Sequence, residues 1–443
     1  MKVGLISLGC AKNLVDSEII LGYLKEHGYQ LEIAPEEADV IIINTCGFIG
    51  PAKEESITTI LEMANYKESG NCKALIVTGC LSARYSQELI DELPEIDGIL
   101  GNAEMDQIHN VITSIFQGKK VHSIPQSKFS YDQPAVPRVL ATGNHMAYLK
   151  ISEGCNHSCA FCVIPKIRGR LKSRSIASIV AEARALSEVG VKEINLIAQD
   201  STSFGRDIGL SINDLIKELV KVDIPWIRLL YAYPSQLSEE LLELIATNEK
   251  IVKYIDLPLQ HASKSILSAM RRPGDFEKLL TTIKSIKDSI PEVFLRSTFI
   301  VGFPGETNDD FSLLYEFLKE ARLNHVGVFK YSQEEDTLAF SMPNQVPEEI
   351  KEERYQSLMT LQQRISLELN EQLVGKTFEV LIEGRSTETD LLIQGRHYGQ
   401  APEVDGVIYI GNKLAKAGEF KRVTITEAHP YDLVGEIVGG SEI

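Results

Sequence analysis

Cys155, Cys159 and Cys162 fall within eight residues of one another, as a C-x3-C-x2-C triplet with no fourth cysteine nearby. This triplet constrains the chain most, because three thiols so placed must share one loop and one ligand. A structural zinc site wants four ligands, and here the second pair is missing. A zinc ribbon or unrelated cytosolic thiols are the alternatives. Iron–sulfur clusters are held by cysteine thiolates. A cubane has four irons, so three protein ligands leave one iron open, and that turns an electron carrier into a catalyst.

The chain has 443 residues, which suits about three domains at ~150 residues each. Apolar residues make up 44%, ample for buried cores. The formal charge of -17 argues against a broad nucleic-acid footprint, which would be basic, but not against a local basic patch. Seven cysteines, an odd number in a long chain, are not a disulfide framework. The N-terminus lacks the apolar stretch of a signal peptide, and no apolar run approaches the ~20 residues of a membrane span. A cytoplasmic enzyme without membrane contact is expected.

Residues 1–122 read as an open parallel αβα domain. Val3–Leu8, Asp39–Asn44 and Ala74–Thr78 read as strands, with helices over Leu14–Glu26 and Glu54–Ala64 between them. Cys10, Cys46 and Cys80 each follow one of these strands, in Gly-Cys, Thr-Cys-Gly and Gly-Cys contexts. Open parallel sheets build sites outside the carboxyl ends of their strands, so the three sulfurs should converge on one edge. Buried structural cysteine is the alternative. Cys72 precedes its strand and should lie at the opposite edge, as no ligand.

A proline-bearing linker is expected over 123–146 (Pro125, Pro134, Pro137). The span 147–345 reads as six strand-plus-helix units, a partial (β/α)6 barrel open on one side. Its strand cores are Tyr148–Ile151, Ile194–Ala198, Trp226–Tyr231, Tyr254–Leu257, Phe294–Ile300 and Val326–Tyr331. Catalytic groups in such barrels come from the C-terminal strand ends. Those ends carry the Cys155 triplet, Gln199, Asp200, Tyr233, Gln260, His261 and the turn Gly302-Phe303-Pro304-Gly305-Glu306. Gly302 and Gly305 would let backbone approach a cofactor closely; a tight turn without a ligand is the alternative. Gln199, Asp200 and Arg296 are cavity candidates, although Arg296 could equally be a structural ion-pair partner. His157 reads as a loop residue or a proton carrier. The run Lys166, Arg168, Arg170, Lys172, Arg174 could bind anions or form a solvated face. A connecting helix over 346–372 leads to 373–443, which alternates like a small closed β-barrel.

The triplet resembles the signature of radical S-adenosylmethionine enzymes. With Cys10, Cys46 and Cys80 in the first domain, the whole chain resembles the methylthiotransferases. The pieces that carry this are Ser7 through Glu18, Asn44-Thr45-Cys46-Gly47-Phe48, Thr78-Gly79-Cys80-Leu81, and Leu257-Pro258-Leu259-Gln260 followed by Met270-Arg271-Arg272. The resemblance implies two 4Fe-4S clusters, one on Cys155, Cys159 and Cys162 and an auxiliary one on Cys10, Cys46 and Cys80. It also implies S-adenosylmethionine as cofactor, cleaved to a 5′-deoxyadenosyl radical. Phe161 would flank its adenine, Gln260 would face the cofactor or substrate cavity, and the tail is similar to a TRAM domain; Gln260 and Arg296 are the candidate catalytic residues. Two loops depart from the family's pattern: Gly143-Asn144, and Gln333 and Asp336 where Pro and Gly are usual.

The family has two branches, one modifying an adenosine of transfer RNA and one an aspartate of small-subunit ribosomal protein twelve. From Leu373 onward, seven Lys and Arg face eleven Asp and Glu. A phosphate-binding barrel needs excess cations, whereas an acidic one suits a basic protein. The pieces Cys10 through Glu18, Gly395-Arg396 and Gln400 through Gly406 also look like the ribosomal-protein branch. Implied partners are that protein, a reductant such as flavodoxin or ferredoxin, and a sulfur donor.

Overall fold

Val40-Ile41-Ile42-Ile43 is buried throughout, as a parallel strand covered by helices on both faces must be. It lies inside a six-stranded parallel sheet. In chain order the strands are β1 (Lys2–Ser7), β2 (Gln30–Leu31), β3 (Val40–Thr45), β4 (Ala74–Gly79), β5 (Gly98–Ile99) and β6 (Val121–His122), in spatial order β2-β1-β3-β4-β5-β6. The computed structural model describes residues 1–102, 104–122, 132, 136–386, 388–389, 391–411 and 415–438. Helices α1 (Ala11–Glu26), α2 (Gly50–Ala64) and α3 (Cys80–Glu92) follow β1, β3 and β4. α2 starts earlier than the expected Glu54 because Pro51 opens its first turn, where a missing N–H costs nothing.

Pro125 and Pro134 of the expected linker lie outside the described residues. Its later part is no free tether. Val139 N–H donates to Glu18 O, and Arg138 bonds the Glu18 carboxylate. A Cβ on Gly22 would stand 2.3 Å from the Pro137 carbonyl carbon. The segment is strapped along α1.

The central barrel has β7 (Met146–Lys150), β8 (Glu193–Ile197), β9 (Trp226–Leu229), β10 (Tyr254–Asp256), β11 (Phe294–Val301) and β12 (His325–Lys330). β7, β8 and β9 pair in parallel, as do β10, β11 and β12. An Ile227–Ile251 bridge and Ala232 N–H to Asp256 O (2.9 Å) carry the seam between the triplets of strands. The helix Glu348–Glu371 leads to β13 (Thr377–Arg385), β14 (Ile393–His397), β15 (Ile408–Ile410), β16 (Phe420–Ala428) and β17 (Leu433–Ile437), which close into a barrel.

The tail barrel meets the first residues of the central strands. Glu193, first in β8, takes the Arg396 guanidinium (2.7 Å) and also Arg228 (2.8 Å). Trp226, first in β9, packs edge-on to Phe420. Phe294, first in β11, packs on His397. The tail therefore closes the N-terminal end of the barrel, and the C-terminal end faces the first domain. There Lys53 and Arg84 both bond Glu334 (2.9 and 3.0 Å), and Gly50 N–H donates to Ser332. The loop that departs from the family's pattern is thus a latch between domains. Among the described residues, no helix is long and apolar enough to cross a membrane.

Candidate active site

Cys10, Cys46 and Cys80 sit at the C-terminal ends of the adjacent strands β1, β3 and β4. Glycines let the three loops touch. A Cβ on Gly9 would stand 2.8 Å from Cys46 Cβ, and one on Gly79 2.3 Å from Thr45 O. Both glycines also have left-handed backbones, at φ 90 and 103. Asn13 ties the loops together, donating to Leu8 O (3.0 Å) and Thr45 O (2.9 Å).

The thiols are not electrostatically alike. Burial would raise the Cys10 thiol, but the Lys12 and Arg168 charges and the Asn13 and Lys12 N–H groups hold it below its ordinary value. Solvent still reaches Cys10, which caps the N-terminus of α1, where a thiolate is favoured. Burial pushes Cys46 up to about 11 and also raises Cys80. Cys72 is buried just before β4, at the opposite end of that strand from Cys80, its thiol donating to Ala74 O.

The Cys155 triplet occupies the loop after β7. Ala160 fastens it, donating to Met270 O and accepting from Ala339 N–H. His157 Nε2 meets Asp200 Oδ2 at 2.6 Å, and its ring stacks on Tyr233 with centroids 3.9 Å apart. Arg272 covers the Tyr233 ring at 4.0 Å and points Nη1 at Cys159 Sγ, 3.9 Å away. Burial pushes Cys162 up to about 12.

Among the described residues no three His, Cys, Asp or Glu groups are gathered as around a single metal ion. A cubane needs a wider layout, because each thiolate takes a different iron. The donor sets fit that group: three thiols each, with a guanidinium beside each.

Arg168 joins the two sites. Its guanidinium reaches Cys80 Sγ (3.4 Å), Asn13 Oδ1 (2.5 Å), Asp16 (3.2 Å) and Glu153 (3.1 Å). Lys150 bonds Asp16 and Glu153, and Gln199 Nε2 donates to Glu153 (2.9 Å). Burial would raise Glu153, but Arg168 and Lys150 hold it well below the carboxylate range. Of the five-cation run, Arg168 and Arg174 turn inward, while Lys166, Arg170 and Lys172 are exposed.

The remaining expected residues fall in different places. Gln260 has a left-handed backbone, φ 74, at the barrel's C-terminal end. Such strain clusters at functional sites. Phe161 packs on a core that includes Phe303 and Met270. Gln199 keeps a buried Oε1 without a partner. Asp200 accepts from His157, Thr202 and Ser203, so it anchors the cluster loop. The Gly302 and Phe303 N–H groups point at Glu306, and a Cβ on Gly302 would stand 2.2 Å from Lys351 Cγ. That glycine answers to packing, whereas Gly305 has open space around it. Arg296, expected in the cavity, is bound to Asp405 (2.8 Å) and Val404 O (3.1 Å) of the tail. It is the ion-pair partner that its sequence context also allowed.

Sequence reasoning missed Lys12, Asn13, Asp16, Lys150, Glu153 and Tyr231 as site residues. The available signal was Asn13, Asp16 and Ser17 at helical spacing on a face of α1 that is buried.

Three family profiles match the chain: Uncharacterized protein family UPF0004 over 2–101, the Radical SAM superfamily over 149–318, and the TRAM domain over 374–438. The chain is 48% identical to a ribosomal protein uS12 methylthiotransferase RimO of Syntrophotalea carbinolica, over 100% of this chain and 98% of the relative. It is 47% identical to a protein of that name from Myxococcus xanthus (98% and 91% covered) and 46% to one from Clostridioides difficile (99% and 99%). Among solved structures it is similar to the radical S-adenosylmethionine methyltransferase TsrM of Kitasatospora setae. The TM-score is 0.55 at 14% identity, covering 85% of this chain and 80% of that one, a likeness of fold.

Proposed function

This chain belongs to the RimO family of ribosomal protein uS12 methylthiotransferases, and from that premise we propose that it adds a methylthio group to the β-carbon of an aspartate in uS12. It is a radical S-adenosylmethionine transferase that uses two 4Fe-4S clusters. The carrying observation is the pair of three-cysteine sets, at the C-terminal strand ends of two domains and joined through Arg168.

When bound, the Cys155 cluster and S-adenosylmethionine supply a hydrogen-abstracting radical, and the auxiliary cluster supplies the site of sulfur transfer. The protein's part is to position the parts and exclude water. Cys155, Cys159 and Cys162 hold the first cluster. Asp200 fixes His157, and with it the ligand loop. Phe161, Gln199, Gln260 and Gly305 would line the place of S-adenosylmethionine when it binds. Cys10, Cys46 and Cys80 hold the second cluster, and the latch at Glu334 keeps the two domains in register. A reductant such as flavodoxin or ferredoxin supplies electrons, and the sulfur comes from the auxiliary cluster itself or from exogenous sulfide.

The acidic tail favours uS12 over transfer RNA. One of its few cations, Arg396, is 1% exposed and committed to Glu193 and Glu383. Phosphate binding needs free cations.

The test is cofactor cleavage in anaerobically reconstituted variants. Cys155→Ala should abolish it. Cys46→Ala should retain part of it while forming no thiomethylated product. Full thiomethylation by Cys46→Ala would refute the division of labour.

A further inference from the structure

Lys12 is a buried cation, 8% exposed, whose Nζ lies 3.2 Å from the centroid of the Tyr231 ring. Every other deeply buried cation at this site has a carboxylate: Arg168 has Asp16 and Glu153, Lys150 the same two, and Arg174 has Glu182. Lys12 makes no salt bridge to any described residue. The acidic groups that bear on it are the Cys10 thiol and, less strongly, Asp256 and Glu153, and neither carboxylate hydrogen-bonds it. Asp256 accepts from Tyr231 N–H and faces Arg296; Glu153 holds Arg168, Lys150 and Gln199. A charge taken out of water without a carboxylate of its own is costly, and an incoming anion would offset that cost.

The surroundings are built to hold it there. Tyr231 follows β9 at the barrel's C-terminal end and has a left-handed backbone, φ 59, which a bulky residue rarely adopts. That conformation presents its ring face to the ammonium, an electrostatically favourable seat. Lys12 lies two residues after Cys10, at the start of α1. The cation therefore stands between the auxiliary sulfur site and the mouth of the barrel.

We propose that Lys12 receives the side-chain carboxylate of the substrate aspartate, and so selects an acidic side chain at the auxiliary cluster. This rests on the uS12 reading above. The β-carbon is bonded directly to that carboxyl carbon, so a clasp on the carboxylate is the shortest restraint on the reacting atom. An adenosine base offers no anion here, and the same lysine would select against it. The competing role for Lys12 is as countercharge to the cluster thiolate of Cys10.

The test uses the reconstituted holoenzyme with S-adenosylmethionine and no reductant, so that binding is read without turnover. Probes are uS12 and uS12 with its target aspartate changed to asparagine, with affinities from fluorescence anisotropy and iron content measured alongside. The intact enzyme should prefer the aspartate form by ~10-fold or more. Lys12→Gln should bind both within ~2-fold with its iron unchanged, and Lys12→Arg should keep the preference; Lys12→Met serves if the Gln form does not fold. A preference that survives Lys12→Gln overturns the proposal. So does loss of iron together with preference, which would assign the lysine to the cluster. Equal binding of both probes by the unaltered enzyme overturns the proposal and leaves the uS12 reading intact. No binding of uS12 at all overturns that reading too.

Discussion

Arg168 Nη2 lies 3.4 Å from Cys80 Sγ, although the arginine belongs to the loop of the other cysteine set, 88 residues away in the chain. The same guanidinium holds Asp16 of the first domain and Glu153 of the second. One side chain, 2% exposed, thereby fixes how the two cluster sites face each other. It also places a positive charge beside the Cys80 thiol, the ligand proposed for the auxiliary cluster.

Replacing Arg168 with Gln should leave Asp16 and Glu153 buried with less compensation. Breaking a buried ion pair on one side costs about 3–5 kcal/mol, so anaerobic denaturation should show a loss of that order. Hydrogen bonds to cluster sulfurs and net charge tune reduction potential. An EPR-monitored redox titration should therefore show the auxiliary potential lowered and the other cluster unmoved. Unchanged stability and potential would contradict the bridging role.

Cys72→Ala should keep all iron and all activity, at a cost of about 1 kcal/mol for the lost buried sulfur. Its thiol bonds Ala74 O at the start of β4. Iron analysis and a melting curve check this, and a loss of iron would make Cys72 a ligand.

Acid should loosen the protein through buried histidines. Burial pushes both His261 and His397 down to about 3 from an ordinary 6.5. Their neutral forms contribute stability that is present above pH 6.5 and is lost as pH falls toward 3, at about 1.4 kcal/mol per unit for each. Glu306 acts oppositely. Burial raises it to about 7 from 4.5, so its contribution is full below pH 4.5 and is lost as pH rises through 7. Two histidines outweigh one carboxyl, and stability should fall on acidification. His397 packs between Phe378 and Phe294, so the tail should separate from the barrel first. His397→Gln should flatten the pH dependence of tail-domain melting; an unaltered slope would contradict this.

Gly302→Ala should destabilise the barrel by about 1–3 kcal/mol, from a left-handed backbone (φ 74) and a Cβ pressed on Lys351. Gly305→Ala shares the left-handed backbone (φ 84) but meets no neighbour, so without the clash it should cost less stability, and its larger effect should fall on the KM for S-adenosylmethionine. Equal stability losses in the two variants would contradict the packing assignment.

What was legible in the sequence was local. A cysteine directly after an Ile/Val run, with glycine beside it, already implies a sulfur at a sheet edge, and β1, β3 and β4 are indeed neighbours. The six barrel strands announced themselves by apolar runs between helical stretches. The network joining the sites was not legible, because its partners meet only in the fold. Arg168 and Asp16 are 152 residues apart, and Arg296 and Asp405 are 109. Alternating cations from Lys166 to Arg174 give no hint of which turn inward, since that depends on where α1 and Glu182 lie. Arg296 looked like a cavity residue because its Asp405 partner arrives from the tail domain.

The most direct measurement is an anaerobic reaction of the reconstituted protein with S-adenosylmethionine, reductant and sulfide. It is offered uS12 and an anticodon stem-loop RNA in the same tube, and both are read by mass spectrometry. The account predicts a methylthio gain on a uS12 aspartate and none on the RNA. A gain on the adenosine alone, with uS12 unmodified, would contradict it.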